Sequence, residues 1–405
     1  MNIIFLTALF PVNEASSGAG NYVSNIARVM AENGHKVYVV IEAKNYFVSE
    51  WNGIEIHYIK FPQFFRRKKK LSVLDKFAMN ILRSILYNKE VGKIAKMQKV
   101  DIVQSINTYG IALFRKKTIP YIVRISAFMP LYIGANMQNF ELNKWIDYNR
   151  IDLGLEVMAC KAADYLVAPS EYIKKIIESK TNKKVHVIEG PVYIESSSIK
   201  KDDEIFIGKQ YLLTYGILAF RKSIHLVAQI IDDVLDEFPN LMYVLAGKDK
   251  ELVINGNRIW ASQFIYSKIE RNRERFIYLG EVAERSRMFA IIENAYACVL
   301  PTRTDNLPNT VSEAMTLGKI VISSDKTSVE QLITDGYNGF LSEIDNAKEL
   351  YQKIKYVMQL SDEDKQKIEN KAKERVKTLT PEYVYQNMID IYEETIINFK
   401  KKKCK

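Results

Sequence analysis

The sequence predicts an α/β protein built from two doubly wound parallel sheets, each covered by helices on both faces. Its 405 residues exceed the usual size of one domain, which favours two. Short apolar segments alternate with helical patterns through both halves of the chain, and such segments are typical of strands buried in a parallel sheet. Residues 196–208 are polar and unpatterned, so we interpret them as a linker between the two domains.

The first domain is predicted over residues 1–195. Its opening segment, MNIIFLTALFPV, has no basic residues at its start, so we interpret it as a buried strand and not as a signal peptide. A loop with Gly18 and Gly20 follows, and the next helix is predicted over about Asn21–Asn33. Strands are predicted at Ile3–Leu6, Lys36–Ile41, Asp101–Gln104, Tyr121–Ile125, Tyr165–Ala168 and Lys184–Ile188.

The second domain, residues 209–380, restarts the same alternation. Its first strand ends at Gly216, and a helix is predicted over about Ile224–Glu237, where Pro239 follows. Strands are predicted at Tyr211–Tyr215, Leu241–Ala246, Phe276–Leu279, Cys298–Leu300 and Ile320–Ser323. A last helix, about Pro381–Phe399, lies in the terminal segment 381–405.

Composition excludes several classes of protein. Three cysteines without paired spacing favour a reducing, cytoplasmic location and argue against a disulfide framework. Four scattered histidines offer no metal site, and no apolar run reaches the roughly 18 residues of a membrane span. The net charge is +10, but no nucleic-acid recognition motif accompanies the basic runs, so nucleic acid is not an expected partner.

The basic run Arg66–Lys70 precedes an amphipathic segment. Six apolar side chains would share one helical face: Leu74, Phe77, Ala78, Ile81, Leu82 and Ile85. A basic cluster beside such a helix is typical of proteins that lie on an anionic membrane surface. The same face would also suit a helix that packs into the core behind a solvated charge run. Both interpretations stay open, and they are compatible.

The most informative segment is Asp305–Gly318, DNLPNTVSEAMTLG, which follows a predicted buried strand. We expect Pro308 at the first helical position and either Asp305 or Asn306 as the cap. A helix N-terminus favours anions, and Glu313, about one and a half turns in, can accept hydrogen bonds from a diol such as a ribose. Taken alone, the segment is better explained as an ordinary capped helix with a surface glutamate, so its context must decide.

Two cations give that segment its context. Arg221 and Lys222 lie shortly after a predicted strand and directly before a helix, which suits a diphosphate site. Ligands of doubly wound sheets lie at the carboxyl ends of the strands. The glycine loop, the two cations and the Asp305–Glu313 segment all follow such ends, so we expect them to face one cleft.

Together these motifs resemble the retaining glycosyltransferases of family 4, the "glycosyl transferases group 1" type with the GT-B architecture of two Rossmann-like domains facing a cleft. The resemblance covers nearly the whole chain. Asp305–Gly318 is similar to that family's E-x7-E segment, and YGILAFRKS at 215–223 lies where the family has GR…KG. Further similar pieces are Gly18–Ala27, Asn33–Val37, Ala163–Ser170, Val244–Gly247, Leu279–Val282 and Asp335–Phe340.

The resemblance implies a role for each matching residue. Lys222, Arg221 and Glu313 would be the catalytic group: the two cations would neutralise the diphosphate, and Glu313 would bind the ribose. Asp305 and the backbone of 306–309 would hold the donor sugar. The remaining donor-binding positions would be Gly18, Gly20, Gly216, Leu307, Pro308, Thr310, Gly280 and Val282. The last helix would pack back on the first domain, and no metal or other cofactor would be required.

The activity implied is transfer of a hexose-type sugar from a nucleotide-diphosphate donor to a glycan or lipid-linked glycan, in the synthesis of capsule, O-antigen or exopolysaccharide. The location implied is cytoplasmic, peripheral on the inner face of the membrane. The chain departs from the family at Asp305, usually Glu, at Ile217, usually Arg, and at Arg124–Ser126, where a histidine is usual. Two alternatives stay open: a non-catalytic nucleotide- or glycan-binding protein on the same fold, and another sugar-nucleotide enzyme such as an epimerase or a phosphorylase.

Overall fold

The structure is a computed structural model, and it describes residues 1–8, 10, 18–62, 71–148, 150–194 and 208–404. The basic run Arg66–Lys70 and most of the predicted linker therefore lie outside the described residues. The chain divides into two compact units. Unit 1 comprises Met1–Pro130, Ile146–Pro191 and Leu379–Lys405, and unit 2 comprises Leu131–Trp145 and Val192–Thr378. Leu131–Trp145, which we predicted within the first domain, thus groups with the second.

Unit 1 contains an eight-stranded sheet in the order β3-β4-β2-β1-β5-β6-β7-β8. All neighbours are parallel except β3 and β4, which form an antiparallel hairpin at one edge. The strands are β1 (Asn2–Leu6), β2 (Lys36–Ala43), β3 (Phe47–Trp51), β4 (Ile54–Lys60), β5 (Ile102–Ile106), β6 (Tyr121–Arg124), β7 (Tyr165–Ala168) and β8 (His186–Val187).

The helices up to this point of the chain, and the last one, are α1 (Gly18–Glu32), α2 (Val73–Met97), α3 (Met129–Ala135), α4 (Leu142–Ile146), α5 (Ile151–Ala162), α6 (Glu171–Thr181) and, at the far end of the chain, α13 (Pro381–Lys403). All belong to unit 1 except α3 and α4, most of whose residues lie in the Leu131–Trp145 segment of unit 2. Tyr392 of α13 is fully buried in unit 1, and its hydroxyl donates to Gln104 Oε1 of β5 at 2.6 Å. This buried hydrogen bond ties the last helix to the centre of the sheet.

Unit 2 contains a six-stranded parallel sheet in the order β13-β10-β9-β14-β15-β16, and a separate antiparallel hairpin. The strands are β9 (Gln210–Tyr215), β10 (Leu241–Ala246), β11 (Glu251–Ile254), β12 (Asn257–Trp260), β13 (Phe276–Tyr278), β14 (Ala297–Val299), β15 (Ile320–Ser324) and β16 (Phe340–Ser342). The helices are α7 (Ile224–Glu237), α8 (Ala261–Tyr266), α9 (Arg285–Asn294), α10 (Asn309–Thr316), α11 (Ala347–Met358) and α12 (Asp362–Arg375).

The predicted α/β class with two doubly wound parallel sheets is confirmed. Each predicted strand has a counterpart shifted by at most two residues at either end, because continuous apolar runs mark buried strands well. Of the strands that the prediction missed, β3, β11, β12 and β16 are short or lie at edges, where this pattern is weak. The fifth, β4, is a seven-residue internal strand whose apolar residues are interrupted by polar ones (IEIHYIK), so it lacks a continuous apolar run. The prediction was also wrong at Gly18 and Gly20, because the structure places both in the first turn of α1 and not in a loop.

Helix α2 buries a different face from the one that its apolar side chains predict. None of the six apolar residues from Leu74 to Ile85 is buried, and the fractional exposure of Leu74 is 73%. The buried face instead carries Asn80, Ser84 and Asn88, and the last two donate hydrogen bonds to the carbonyl of Ile111 at 2.8 and 2.9 Å. Because these polar groups find backbone partners, their burial is not penalised. The helix thus packs into the core, but through a face that also includes Tyr87, Val91 and Ile94. Of the predicted apolar face, Phe77, Ile81 and Leu82 are half-buried, and Leu74, Ala78 and Ile85 are exposed.

Among the helices that the structure describes, none combines the length and apolarity needed to cross a membrane.

Candidate functional site

Two adjacent strands of unit 2 end at glycines whose backbones touch. Gly216 follows β9 and Gly247 follows β10, with φ values of 113° and 151°. A Cβ atom on Gly247 would lie 1.6 Å from the Gly216 carbonyl oxygen. The Gly247 amide also donates to the carbonyl of Gly280, which follows β13, at 2.7 Å. Only glycine permits this approach, which draws three strand ends into one compact edge.

Arg221 and Lys222 lie close to that edge, on a 3₁₀ turn at Phe220–Lys222. Both contact the same atom of Asp305: Lys222 Nζ lies 2.6 Å from Oδ2, and Arg221 Nη1 lies 3.2 Å from it. The other carboxylate oxygen, Oδ1, accepts a hydrogen bond from the Asn306 amide at 2.9 Å. The three charged side chains, which sequence analysis placed in two separate segments, therefore form one cluster.

The cluster is ionised in spite of its burial. Burial raises the pKa of Asp305, but the charges of Lys222 and Arg221 outweigh this effect and bring it to about 2. Burial lowers the pKa of Lys222, and the Asp305 carboxylate opposes that shift. Two cations thus share one carboxylate, which leaves a net charge of about +1. A cluster with excess positive charge attracts a diphosphate.

Helix α10 begins beside this cluster. Pro308 is its N-cap, with extended backbone angles (φ −74°, ψ 118°), so the expectation of Pro308 as first helical residue was wrong by one position. The N-cap position therefore belongs to neither Asp305 nor Asn306, and the Asp305 carboxylate is held by the cations and by its neighbour's amide. The Tyr215 hydroxyl donates to the Thr310 carbonyl at 2.5 Å and so joins the end of β9 to the first turn of α10. A small cavity lined by Lys222, Thr310 and Pro301, among others, lies here.

Glu313 lies on α10 with 14% of its side chain exposed. Its Oε1 accepts a hydrogen bond from Arg285 Nη2, the first residue of α9, at 3.1 Å. Burial raises the pKa of Glu313, and Arg285 only partly opposes the shift. In the part of the chain that the structure describes, Arg285 is the one hydrogen-bond donor to this carboxyl group, so Oε2 stays available to a ligand hydroxyl.

The remaining predicted positions fall into two groups. Asn306, Leu307 and Asn309 lie in or next to the turn that leads into α10, and Val282 lies in the loop between β13 and α9. Gly18 and Gly20 belong to unit 1, at the start of α1. The cluster of Arg221, Lys222 and Asp305 lies in unit 2.

Three residues in or near the site were not predicted from the sequence. Arg285 pairs with Glu313, Tyr132 lies against Arg221, and Arg303 donates its backbone N–H to the Arg221 carbonyl at 2.9 Å. Arg285 and Tyr132 could not be recognised from the sequence, because they lie in segments far from the motif. Arg303 lies two residues before Asp305 and follows a buried strand, so its place in the sequence was a signal that it lies near the site.

Arg124 of unit 1 lies where the family resemblance leads one to expect a histidine. The side chain is buried at the end of β6, and its guanidinium lies 3.5 Å from the ring centroid of Tyr22. Its Nη1 donates to the carbonyl of Ile188 at 2.8 Å. An aromatic face and a backbone carbonyl thus hold this cation.

Two family profiles match consecutive parts of the chain. The profile described as "Glycosyltransferase Family 4" matches residues 16–196, and the one described as "Glycosyl transferases group 1" matches residues 195–375. The chain is 24% identical over 310 residues to the N,N'-diacetylbacillosaminyl-diphospho-undecaprenol alpha-1,3-N-acetylgalactosaminyltransferase of Campylobacter jejuni subsp. jejuni serotype O:2, which covers 69% of this chain and 72% of that protein. It is 20% identical over 381 residues to spore coat protein SA of Bacillus subtilis, with coverage of 89% and 95%.

Solved structures with the same fold include sucrose-phosphate synthase from Thermosynechococcus elongatus and HepE from Anabaena in complex with UDP and glucose. The first has a TM-score of 0.76 at 12% identity and covers 98% of this chain and all of that one. The second has a TM-score of 0.70 at 14% identity, with coverage of 97% and 100%. At these identities the likeness establishes the fold, which is that of the GT-B proteins.

Proposed function

Because the chain belongs to the group 1, family 4 glycosyltransferases, we propose that it transfers a hexose-type sugar from a nucleotide-diphosphate donor with retention of configuration. The acceptor is a glycan or a lipid-linked glycan. The observation that carries the proposal is the buried cluster of Lys222, Arg221 and Asp305 beside the start of α10. This cluster presents excess positive charge next to a helix N-terminus, which suits a diphosphate.

The cluster can stabilise the leaving group. When the bond between the sugar and the diphosphate breaks, negative charge builds on the phosphate oxygens. Lys222 and Arg221 are held in place by Asp305 before the reaction starts, so little reorganisation is needed when that charge appears. The proposal therefore requires no metal ion, and activity is expected to persist in EDTA.

Retention follows from attack on the same face of the sugar. The acceptor hydroxyl forms the new glycosidic bond as the old bond to the diphosphate breaks, and its proton passes to the departing phosphate oxygen. Asp305 and Glu313 are not a hydrolase-type acid and base in this scheme. Glu313 holds the ribose through its available Oε2, and Asp305 fixes the two cations and contacts the sugar hydroxyls.

The proposed pathway is surface polysaccharide assembly on the cytoplasmic side of the membrane. Support comes from relatives: one is named for transfer to a diphospho-undecaprenol-linked sugar, and another is named as a spore coat protein.

A binding experiment tests the donor class. UDP, GDP, ADP and dTDP are screened by thermal shift, and at about 100 times Kd a true ligand adds about 2.7 kcal/mol to the free energy of unfolding. Glu313→Ala should lose the shift if Glu313 holds the ribose. If none of the four nucleotides raises the melting temperature of the wild-type protein, the proposal is refuted.

Transfer assays test the roles of the cluster. Lys222→Ala should lower the transfer rate about 10²- to 10³-fold, because one preorganised cation is removed from the leaving group. The matched control is Lys355→Ala, which breaks a surface pair with Glu237 elsewhere in unit 2 and should leave transfer unchanged. Wild-type rates in Lys222→Ala would contradict the assignment.

A non-catalytic nucleotide-binding protein is the second candidate. Ile217 lines the small cavity beside Lys222 where the family resemblance predicts an arginine, so the site has one cation fewer than the resemblance implies. This candidate predicts nucleotide binding that responds to Glu313→Ala, together with no transfer and no donor hydrolysis in the presence of candidate acceptors.

We also propose that α2 of unit 1 lies on an anionic membrane surface. Its outward face carries Leu74 and Ile85, exposed by 73% and 47%. A capping box between Ser72 and Asp75 fixes the start of the helix at Val73, three residues after the basic run. An apolar face next to a run of five basic residues is complementary to a layer of anionic lipids.

Sedimentation with vesicles tests the membrane proposal. The protein should bind vesicles that contain phosphatidylglycerol more strongly than pure phosphatidylcholine vesicles, and Leu74→Asp should weaken that binding. Ile397→Asp is the matched control, because Ile397 is an exposed apolar residue of α13 in the same unit. Equal binding of wild type and Leu74→Asp would contradict the proposal.

A further inference from the structure

The segment Leu131–Trp145, here called the inserted segment, belongs to unit 2 although both neighbouring parts of the chain belong to unit 1. In sequence it lies between β6 and β7, two adjacent strands of the unit 1 sheet. A connection of this kind ordinarily packs on its own sheet. The inserted segment instead contacts Arg221, Arg303 and Asn255 of unit 2.

The first contact is aromatic. The ring centroid of Tyr132 lies 4.8 Å from the guanidinium carbon of Arg221, whose Nη1 contacts Asp305. Together the ring and the carboxylate fix the position of the guanidinium. The Arg221 side chain is 10% exposed, and its Nε is buried and without a hydrogen-bond partner in the described part of the chain. A buried N–H donor without a partner in the proposed donor site is a group that a ligand oxygen would satisfy.

The second contact passes through Arg303. Its Nη1 donates to the carbonyl of Met137 at 2.7 Å and its Nη2 to that of Gln138 at 3.3 Å. Its Nε lies 2.7 Å from Asp345 Oδ1, which balances the buried charge. Because the Arg303 amide also donates to the Arg221 carbonyl, one residue joins the inserted segment to the turn that carries the proposed diphosphate cations.

A third contact fixes the middle of the inserted segment. The Gln138 side chain both accepts from the Asn255 amide at 2.9 Å and donates to Asn255 Oδ1 at 3.3 Å, in the turn between β11 and β12. Within the segment, Trp145 lies so close to Gly134 that a Cβ there would come within 2.1 Å of the indole. The inserted segment is therefore an anchored part of unit 2.

We propose that the inserted segment completes the donor site and that Tyr132 is a positioning residue, which holds the Arg221 guanidinium ready for the diphosphate. The inference rests on the proposed function, because it assigns Arg221 to the diphosphate. An arginine that is already fixed loses less side-chain freedom when a phosphate binds, so the ring strengthens binding without contacting the ligand. Removing it should weaken nucleoside diphosphate binding about 3- to 30-fold, the range expected of a cation–π contact.

The test is a double-mutant cycle on the full chain, measured by calorimetry with whichever of UDP, GDP, ADP and dTDP binds the wild-type protein. Tyr132→Ala should weaken binding, and Tyr132→Phe, which keeps the ring, should bind within about twofold of wild type. In an Arg221→Gln background, Tyr132→Ala should have no further effect, because its target is already gone. Tyr337→Ala, which removes a ring 5.4 Å from Lys371 on unit 2, is the matched control.

Two results would overturn the inference: unchanged affinity in Tyr132→Ala, or an equal loss of affinity in the Arg221→Gln background, which would indicate a general structural role. If Tyr132→Ala does not fold, Tyr132→Leu keeps the apolar bulk without the ring face and replaces it in the cycle. Failure of the wild-type protein to bind any of the four nucleotides would instead refute the proposed function, and this inference with it.

Discussion

Glu156 of unit 1 and Asp305 of unit 2 are both largely buried carboxyl groups, yet they differ in charge at neutral pH. Burial raises the pKa of each. At Glu156 burial dominates: hydrogen bonds from backbone N–H groups, one of them Tyr109 at 3.1 Å, oppose it only in part, Asp152 adds repulsion, and the pKa rises to about 8. Asp305 meets two cations, Lys222 and Arg221, and its pKa falls to about 2.

The difference shows that the partners of a carboxyl group, more than its burial, decide whether it is ionised. Unit 1 keeps Glu156 neutral beside the turn that follows β5, where it serves as a hydrogen-bond partner of the backbone. Unit 2 keeps its charges where we propose that the diphosphate binds. The two cations there share one carboxylate, and this arrangement preserves a net positive charge.

The largest expected effect on stability comes from Glu156. Because its pKa is raised from 4.5 to about 8 in the folded protein, its contribution to stability is fully present below about pH 4.5 and is lost as the pH rises through about 8. The loss should be on the order of 5 kcal/mol. Glu156→Gln mimics the neutral form, so urea unfolding at pH 5, 7 and 9 should show the variant gaining on wild type as the pH rises. Parallel pH profiles would contradict the neutral Glu156.

Asp305→Asn should show the opposite pH dependence, with a smaller effect. The pKa of Asp305 is lowered from 3.8 to about 2, so its contribution is present above about pH 3.8 and lost as the pH falls through about 2. The variant should be less stable than wild type by on the order of 2 kcal/mol at pH 7, and the gap should close towards pH 2. Asp233→Asn, in an exposed pair with Arg271, is the control and should show almost no gap. A gap that persists at pH 2 would refute the ionised cluster.

The smallest expected change in stability concerns Ser223, at the end of the turn that carries Lys222. Ser223 has a left-handed backbone (φ 48°) and a buried hydroxyl without a hydrogen-bond partner among the described residues. Ser223→Gly removes the strain of the left-handed backbone and the cost of the unpaired buried hydroxyl, but it makes the unfolded chain more flexible. We therefore expect the free energy of unfolding to rise by a net amount of about 1 kcal/mol. The melting temperature should rise by roughly 2–4 °C. Asn182→Gly, at a left-handed helix end in unit 1, should gain less, because Asn tolerates this conformation. A lower melting temperature in Ser223→Gly would show that the hydroxyl has a role in the fold.

Much of the fold followed from the sequence because its determinants are local. The apolar runs around β1, β9 and β10 marked buried strands, and alternation with helices implied parallel sheets. The segment Asp305–Gly318 stood out for the same reason, since its acids, proline and glycine lie close together in the chain.

The sequence by itself thus determined the α/β class, most strands, and the residue types of a phosphate- and hydroxyl-binding site. Only the tertiary structure decided that Asp305 pairs with Arg221 and Lys222, that α2 buries a face other than its predicted apolar face, and that Leu131–Trp145 belongs to unit 2. The physical reason is distance along the chain. Each of these outcomes depends on contacts between segments tens of residues apart, whose hydrogen bonds and charges override the local pattern.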